Sequence, residues 1–187
     1  MSFSLELRLW LCEKTKNIES QRCVVITIRY FSRKLNVMPQ SLVKNYIHLV
    51  FSTKNRQPLI LNAIKEELFN YLGGVCKELE SQPIVVGGTI DHVHLLFNLS
   101  RKIALMNLVE IVKTHSSQWI KTKGVEFNQF YWQHGYGGFS VNPKQIEMVK
   151  KYIQNQEEHH RKKTFQDEYR QFLKKYNVDY DERYVWD

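Results

Sequence analysis

His92-Val93-His94, within the run GGTIDHVHLLFNLS, sets two imidazoles two residues apart. The stretch from Thr89 to Leu99 is short, apolar and bounded by glycines, which predicts a buried strand. Alternate side chains on a strand share a face, so His92 and His94 point the same way. Val93 then enters the core behind them. At about 3.3 Å of rise per residue, the two rings stand roughly 6.6 Å apart along the strand. Imidazoles at that spacing can converge on one divalent metal ion. A bare pair of this kind is equally well two unrelated histidines near a sheet edge, so its meaning depends on what the rest of the chain brings to it.

A second group lies late in the chain. A helix is predicted from Pro143 to about His160, with Ile146, Val149 and Ile153 as its apolar stripe. Asn142 is a good helix cap, and proline is tolerated at the first helical position. Tyr152 and Gln156 are four apart and therefore neighbours on that helix. They sit beside the stripe, which leaves the tyrosine half covered with its hydroxyl reaching outward. Gln156 can offer an amide oxygen to whatever meets that hydroxyl. His159 and His160 are adjacent on the same helix and point about 100° apart. They cannot chelate well as a pair and read as a solvated helix end.

These groups need a scaffold. Lys44 to Lys54 is rich in β-branched and aromatic residues and reads as a strand. Leu61 to Glu80 carries Ile64, Leu68, Leu72, Val75 and Leu79 at helical period. Pro83 to Gly88 and Thr89 to Leu99 follow as strands, with Gly87-Gly88 suited to a tight hairpin turn. Ile103 to Thr122 is a second helix, Phe139 to Val141 a short fourth strand, and Thr164 to Tyr176 one more helix. This split βαβ order predicts an α+β fold: a ferredoxin-like antiparallel β-sheet with helices packed on one face, plus C-terminal helices. The open face carries His92 and His94. Strand alternation turns Asp91 away from His92. His48 shares a face with Tyr46, and either lines the open face or packs.

Three zones result. Residues 1–37 hold a possible strand, Cys23 to Tyr30, and no motif, and read as an N-terminal extension of unknown role. Residues 38–176 form the domain that carries the chemistry, and 177–187 a C-terminal tail with Tyr180, Tyr184 and Trp186. The 187 residues, 43% of them apolar, suit one domain. Lys plus Arg number 27 against 19 Asp plus Glu, a formal charge of +8. Such a surplus favours a polyanionic partner, nucleic acid first. Cys12, Cys23 and Cys76 are odd in number and widely spaced, which argues against a disulfide framework and fits a reducing cytoplasm. No apolar run approaches the roughly 20 residues that span a bilayer. Glu6 and Arg8 make Ser2 to Cys12 a poor signal peptide.

Three segments occur in order: Tyr46-Ile47-His48-Leu49-Val50-Phe51-Ser52-Thr53-Lys54-Asn55-Arg56, Asp91-His92-Val93-His94-Leu95, and Val149-Lys150-Lys151-Tyr152-Ile153-Gln154-Asn155-Gln156. Together they resemble the HUH single-tyrosine transposases of the insertion-sequence-two-hundred-like kind and their REP-associated relatives. The resemblance covers roughly residues 42–165. Those proteins often show Ser-Val-Gly before the tyrosine helix, where this chain has Ser140-Val141-Asn142-Pro143.

The resemblance implies a transposase that cleaves and rejoins single-stranded DNA. Tyr152 would be the nucleophile, leaving a 5′-phosphotyrosine and a free 3′-hydroxyl. His92, His94 and Gln156 would hold a divalent metal, Mg²⁺ or Mn²⁺, against the scissile phosphate. The substrates would be DNA hairpins at element ends, and the working unit a homodimer; use of Tyr152 in cis or in trans stays open. Lys54, Arg56, Lys113, Lys121 and Lys123 are candidate phosphate contacts, which orient a strand without reading its bases. Tyr46, Tyr131 and Tyr136 are the next candidates for nucleophile. Two rival readings remain: a domesticated hairpin DNA- or RNA-binding protein on the same fold, and a small metal-dependent hydrolase.

Overall fold

The computed structural model describes residues 42–161 and 164–186. A boundary falls between Leu42 and Val43. The possible strand Cys23 to Tyr30 lies outside the described residues.

Strand β1 (Tyr46–Ser52) leads to helix α1 (Asn62–Glu78), then to strands β2 (Gln82–Gly88) and β3 (His92–Asn98). Helix α2 (Leu105–Lys121) and strand β4 (Gly137–Ser140) follow. Helices α3 (Ile146–Gln154), α4 (Gln156–His160) and α5 (Phe165–Lys175) close the described chain. The four strands form one sheet in the order β2-β3-β1-β4, every neighbouring pair antiparallel. This is the ferredoxin-like α+β arrangement expected from the sequence.

The period of two divides the sheet cleanly. Ile47, Leu49 and Phe51 of β1 and Val93, Leu95 and Phe97 of β3 are buried on one face. They meet Ile64, Leu68 and Leu72 of α1 and Leu108, Val112 and Ile120 of α2. Each such side chain contributes about 1.5–3 kcal/mol by leaving water, and this layer holds the fold together. His48, Val50 and Ser52 of β1, with His92, His94 and Leu96 of β3, take the other face.

That second face is not open. Leu96 packs with Val141 and Ile153, and Val50 packs with Phe139, Phe165, Tyr169 and Leu173. The reason lies in α5, where Phe165, Tyr169 and Leu173 recur every four residues and need burial. Thr164 starts that helix by accepting the Asp167 N–H at 3.2 Å. Gly87 lets α3 come down on the sheet: a β-carbon there would meet Ile153 O at 2.7 Å and Ile153 Cγ2 at 2.8 Å. Any side chain at Gly87 would push the tyrosine helix outward.

The late helix is also not continuous. Pro143–Gln145 is a 3₁₀ turn, capped where Asn142 accepts the Lys144 N–H at 2.9 Å. The chain then breaks at Asn155, with φ −100° and ψ 20°. Asparagine is a weak helix former, and Ile153 and Gln156 are both buried on either side of it.

Candidate metal centre and active site

Strand register builds the site. Ser52 stands opposite His92, Val50 opposite His94, and His48 opposite Leu96. His48 is therefore diagonal to His94, within reach of a ring. Its Nε2 lies 2.9 Å from His94 Nδ1, with the rings stacked at 5.1 Å. His92 Nδ1 lies 2.7 Å from Asp91 Oδ1 and 2.9 Å from Thr89 Oγ1. Each imidazole is thus held from behind at Nδ1. Each Nε2 is buried and has no hydrogen-bond partner among the described residues. A ligating histidine is prepared in this way, its rear N–H tied and its forward lone pair free.

Electrostatics agree with geometry. Burial holds His94 well below the usual histidine range, and the neighbouring His48 and His92 add to the effect. Burial and then Lys175 lower His48 to about 3. Both rings are neutral near pH 7 and keep a lone pair. Burial opposes ionisation of Asp91, but hydrogen bonds and charge from His92, with help from Thr89 and His160, outweigh it. The carboxyl therefore stays ionised and accepts the His92 Nδ1–H. The expectation that Asp91 faces away fails because β3 begins at His92. Asp91 belongs to the turn, where strand alternation does not apply.

Two further residues enter. His160 Nε2 lies 3.0 Å from Glu168 Oε2, and His94 Nε2 lies 3.9 Å from the same oxygen. Ligand atoms of His92, His94, His160 and Glu168 all lie within 4.8 Å of one another. Burial pushes the Glu168 carboxyl up to about 8. Gln156 donates its amide to Glu168 Oε1 at 3.2 Å, while its own Oε1 is buried without a partner among the described residues. An unpartnered buried polar atom costs about 1–3 kcal/mol. Convergent imidazole, amide and carboxyl donor atoms are what a divalent cation satisfies, so these residues fit one.

The Tyr152 ring lies edge-on to His94, with 5.9 Å between centroids, and to His48 at 6.2 Å. Phe172 closes its far side at 5.9 Å. Its hydroxyl does not reach outward as the helix position suggested: it is buried, with no hydrogen-bond partner among the described residues. The cause is α5, which covers the face on which the phenol rests. A cavity of about 270 Å³ opens beside it, lined by His48, Glu168 and Lys175 among others.

The cationic candidates separate. Arg56 lines a cavity of about 560 Å³ together with Lys65, Asp91, His160 and Arg161, next to the histidines. Lys54 is exposed on the turn just before it. Lys113, Lys121 and Lys123 lie on or just after α2, across the sheet. Lys113 is committed elsewhere: its ammonium donates to the carbonyls of Gln133, His134 and Gly135 at 2.7–3.1 Å. Burial lowers it to about 8. Lys121 sits 3.7 Å over the Tyr131 ring, and Lys123 pairs with Glu67. Of the alternative tyrosines, Tyr131 and Tyr136 line a cavity along α2, and Tyr46 packs near Leu96.

His48, Asp91, His160 and Glu168 are the residues that sequence reasoning did not assign to the site. Asp91 carried a signal in its adjacency to His92. Glu168 carried none beyond its place on an apolar helix face, three residues after Phe165. His48→Ala should weaken divalent-ion binding about 10- to 100-fold, the usual cost of losing an outer partner of a ligating histidine. Titration calorimetry on the metal-free protein reads this directly.

A family model described as "Transposase IS200 like" matches residues 15–156. The match begins upstream of the boundary expected at residue 38 and ends before His160 and Glu168. A solved structure of a candidate transposase from Deinococcus radiodurans R1 gives a TM-score of 0.50 at 19% identity, covering 64% of this chain and 96% of that one. The structure of a REP-associated tyrosine transposase bound to a REP hairpin gives 0.50 at 13% identity, covering 66% and 73%. At such identities the likeness is one of fold. No curated protein matches the chain. Among the described residues, no helix is long and apolar enough to cross a membrane.

Proposed function

The chain belongs to the IS200-like transposase family, and from that premise we propose that it cuts and rejoins single-stranded DNA through a tyrosine-linked intermediate. One observation carries this reading: the Tyr152 phenol rests against His94 of its own chain, with its oxygen unpartnered among the described residues. The phenol oxygen forms a bond to phosphorus, and the bond from phosphorus to the 3′-oxygen breaks. The phenol gives up its proton, and the leaving 3′-oxygen gains one. A 5′-phosphotyrosine and a free 3′-hydroxyl result, and the reverse step rejoins strands without ATP.

His92, His94 and Gln156 are the proposed ligands of a divalent ion, Mg²⁺ or Mn²⁺. Such an ion, when bound, polarises a phosphate oxygen and neutralises developing charge. Asp91 and His48 keep the two ligating nitrogens aimed forward. His48 and Phe172 hold the phenol ring edge-on, which fixes the direction of attack. Arg56 offers positive charge where a strand would approach, beside Lys65 and Arg161, which are paired with Glu157 and Glu158. The proposed substrates are DNA hairpins at element ends, a reading supported by the hairpin in the REP-associated structure. Residues 38–176 are the proposed catalytic domain, working as a homodimer in the cytoplasm.

The test is incubation of the full chain with labelled single-stranded DNA from the flanks of its own gene, with Mn²⁺, followed by a denaturing gel. A covalent protein–DNA band is expected. Binding without cutting would favour the domesticated binder, and cutting without a covalent band would favour the hydrolase.

A further inference from the structure

We propose that His160 and Glu168 are themselves metal ligands, making a centre of three imidazoles and a carboxylate that takes a transition-metal ion in preference to Mg²⁺. The inference rests on the assignment of His92 and His94 above and goes beyond it: His160 and Glu168 take the place given there to Gln156, whose amide instead holds Glu168. Both added residues lie past the end of the family match at Gln156, in the C-terminal segment of this chain.

Geometry is the first ground. The four ligand atoms come from β3, α4 and α5 and lie within 4.8 Å of one another. A plain ion pair would account for His160 and Glu168, whose atoms are 3.0 Å apart. It would leave His92 Nε2 and His94 Nε2 buried without partners among the described residues. A single cation serves all four at once.

Support for the ligands is the second ground. Gln156 holds Glu168 by Oε1 and so leaves Oε2 to face the imidazoles. Phe165 stacks on His92 at 4.3 Å, and the His160 ring meets His92 edge-on at 4.6 Å. The rings are therefore fixed by packing as well as by hydrogen bonds. Ligand chemistry supplies the preference. Mg²⁺ demands oxygen donors in an octahedron and gives up its waters reluctantly. Imidazole suits Fe²⁺, Ni²⁺, Cu²⁺ and Zn²⁺, and Co²⁺ stands between Fe²⁺ and Ni²⁺ in the affinity order. Ligands on three elements also mean that binding ties α4 and α5 to the sheet.

The experiment uses the metal-free full chain, titrated with Co²⁺ and with Mg²⁺ by calorimetry and by visible absorption. Wild type should bind Co²⁺ far more tightly than Mg²⁺. His160→Ala and Glu168→Gln should each weaken Co²⁺ binding by about 100-fold or more, exceeding the cost of losing an outer partner. Circular dichroism of the metal-free variants checks that they fold. Pulsed electron paramagnetic resonance of the wild-type centre loaded with Mn²⁺ counts imidazole nitrogens without any substitution, and three are expected. Unchanged Co²⁺ affinity in both folded variants, or a count of two, overturns the proposal. His92→Ala with His94→Ala separates the two readings. If that double variant loses Co²⁺ while the others keep it, only the added ligands are wrong. If it also keeps Co²⁺, the site itself is wrong.

Discussion

Tyr152→Phe is expected to abolish the covalent protein–DNA band, by at least about 10⁴-fold in rate, the scale on which nucleophile loss acts in covalent enzymes. The substitution removes one oxygen and keeps the ring that packs on His94, His48 and Phe172. The hydroxyl it removes is buried and without a hydrogen-bond partner among the described residues. Folding stability should therefore hold or rise slightly, by no more than about 1–3 kcal/mol. Divalent-ion affinity should be unchanged, because the phenol is not among the proposed ligands. Loss of the band with stability and ion binding intact identifies the nucleophile. A surviving band would transfer the role to another tyrosine, and Tyr46, on the same sheet face, would be tested next.

The double variant His92→Ala with His94→Ala carries the second large effect. Wild-type protein held at a free-ion concentration 100 times its dissociation constant gains about 2.7 kcal/mol of stability. The double variant should gain none. Thermal melts with and without ion, beside a chelator control, read the difference. Strand cleavage should lose its dependence on divalent ion together with its rate. Because His92 stacks on Phe165 and His94 on His48, the metal-free melt of the variant sets its own baseline. An undiminished ion-induced shift would remove these histidines from the site.

Much of the scaffold was legible because its patterns are local. Leu68, Leu72 and Val75 recur at helical period, and Leu49, Phe51, Val93 and Leu95 alternate as strand residues must. His92 and His94 share a face for the same reason, and they do meet on the structure. What escaped the sequence depends on pairs distant along the chain. His48 reaches His94 only because β1 and β3 pair in the register that puts Val50 opposite His94, and no local signal sets that register. Glu168 meets His160 because α5 folds back over the sheet. His159 and His160 diverge as adjacent helix residues must, and only His160 joins His92 and His94. Lys113 shows the opposite limit: a lysine on a basic protein reads as a phosphate contact until its ammonium is found on three carbonyls.

A single unbroken rod from Ile146 to His160 would tie the phenol and the ligand side chains into one lever. Any swing that carried Tyr152 toward a phosphate would drag Gln156 and His160 off their positions. The joint at Asn155 divides that lever in two. Ile153 seats the first arm on the sheet, while Gln156 holds Glu168 from the second. Under the proposed cut-and-rejoin reading, the nucleophile and the ion's ligands are thereby placed by separate sets of contacts.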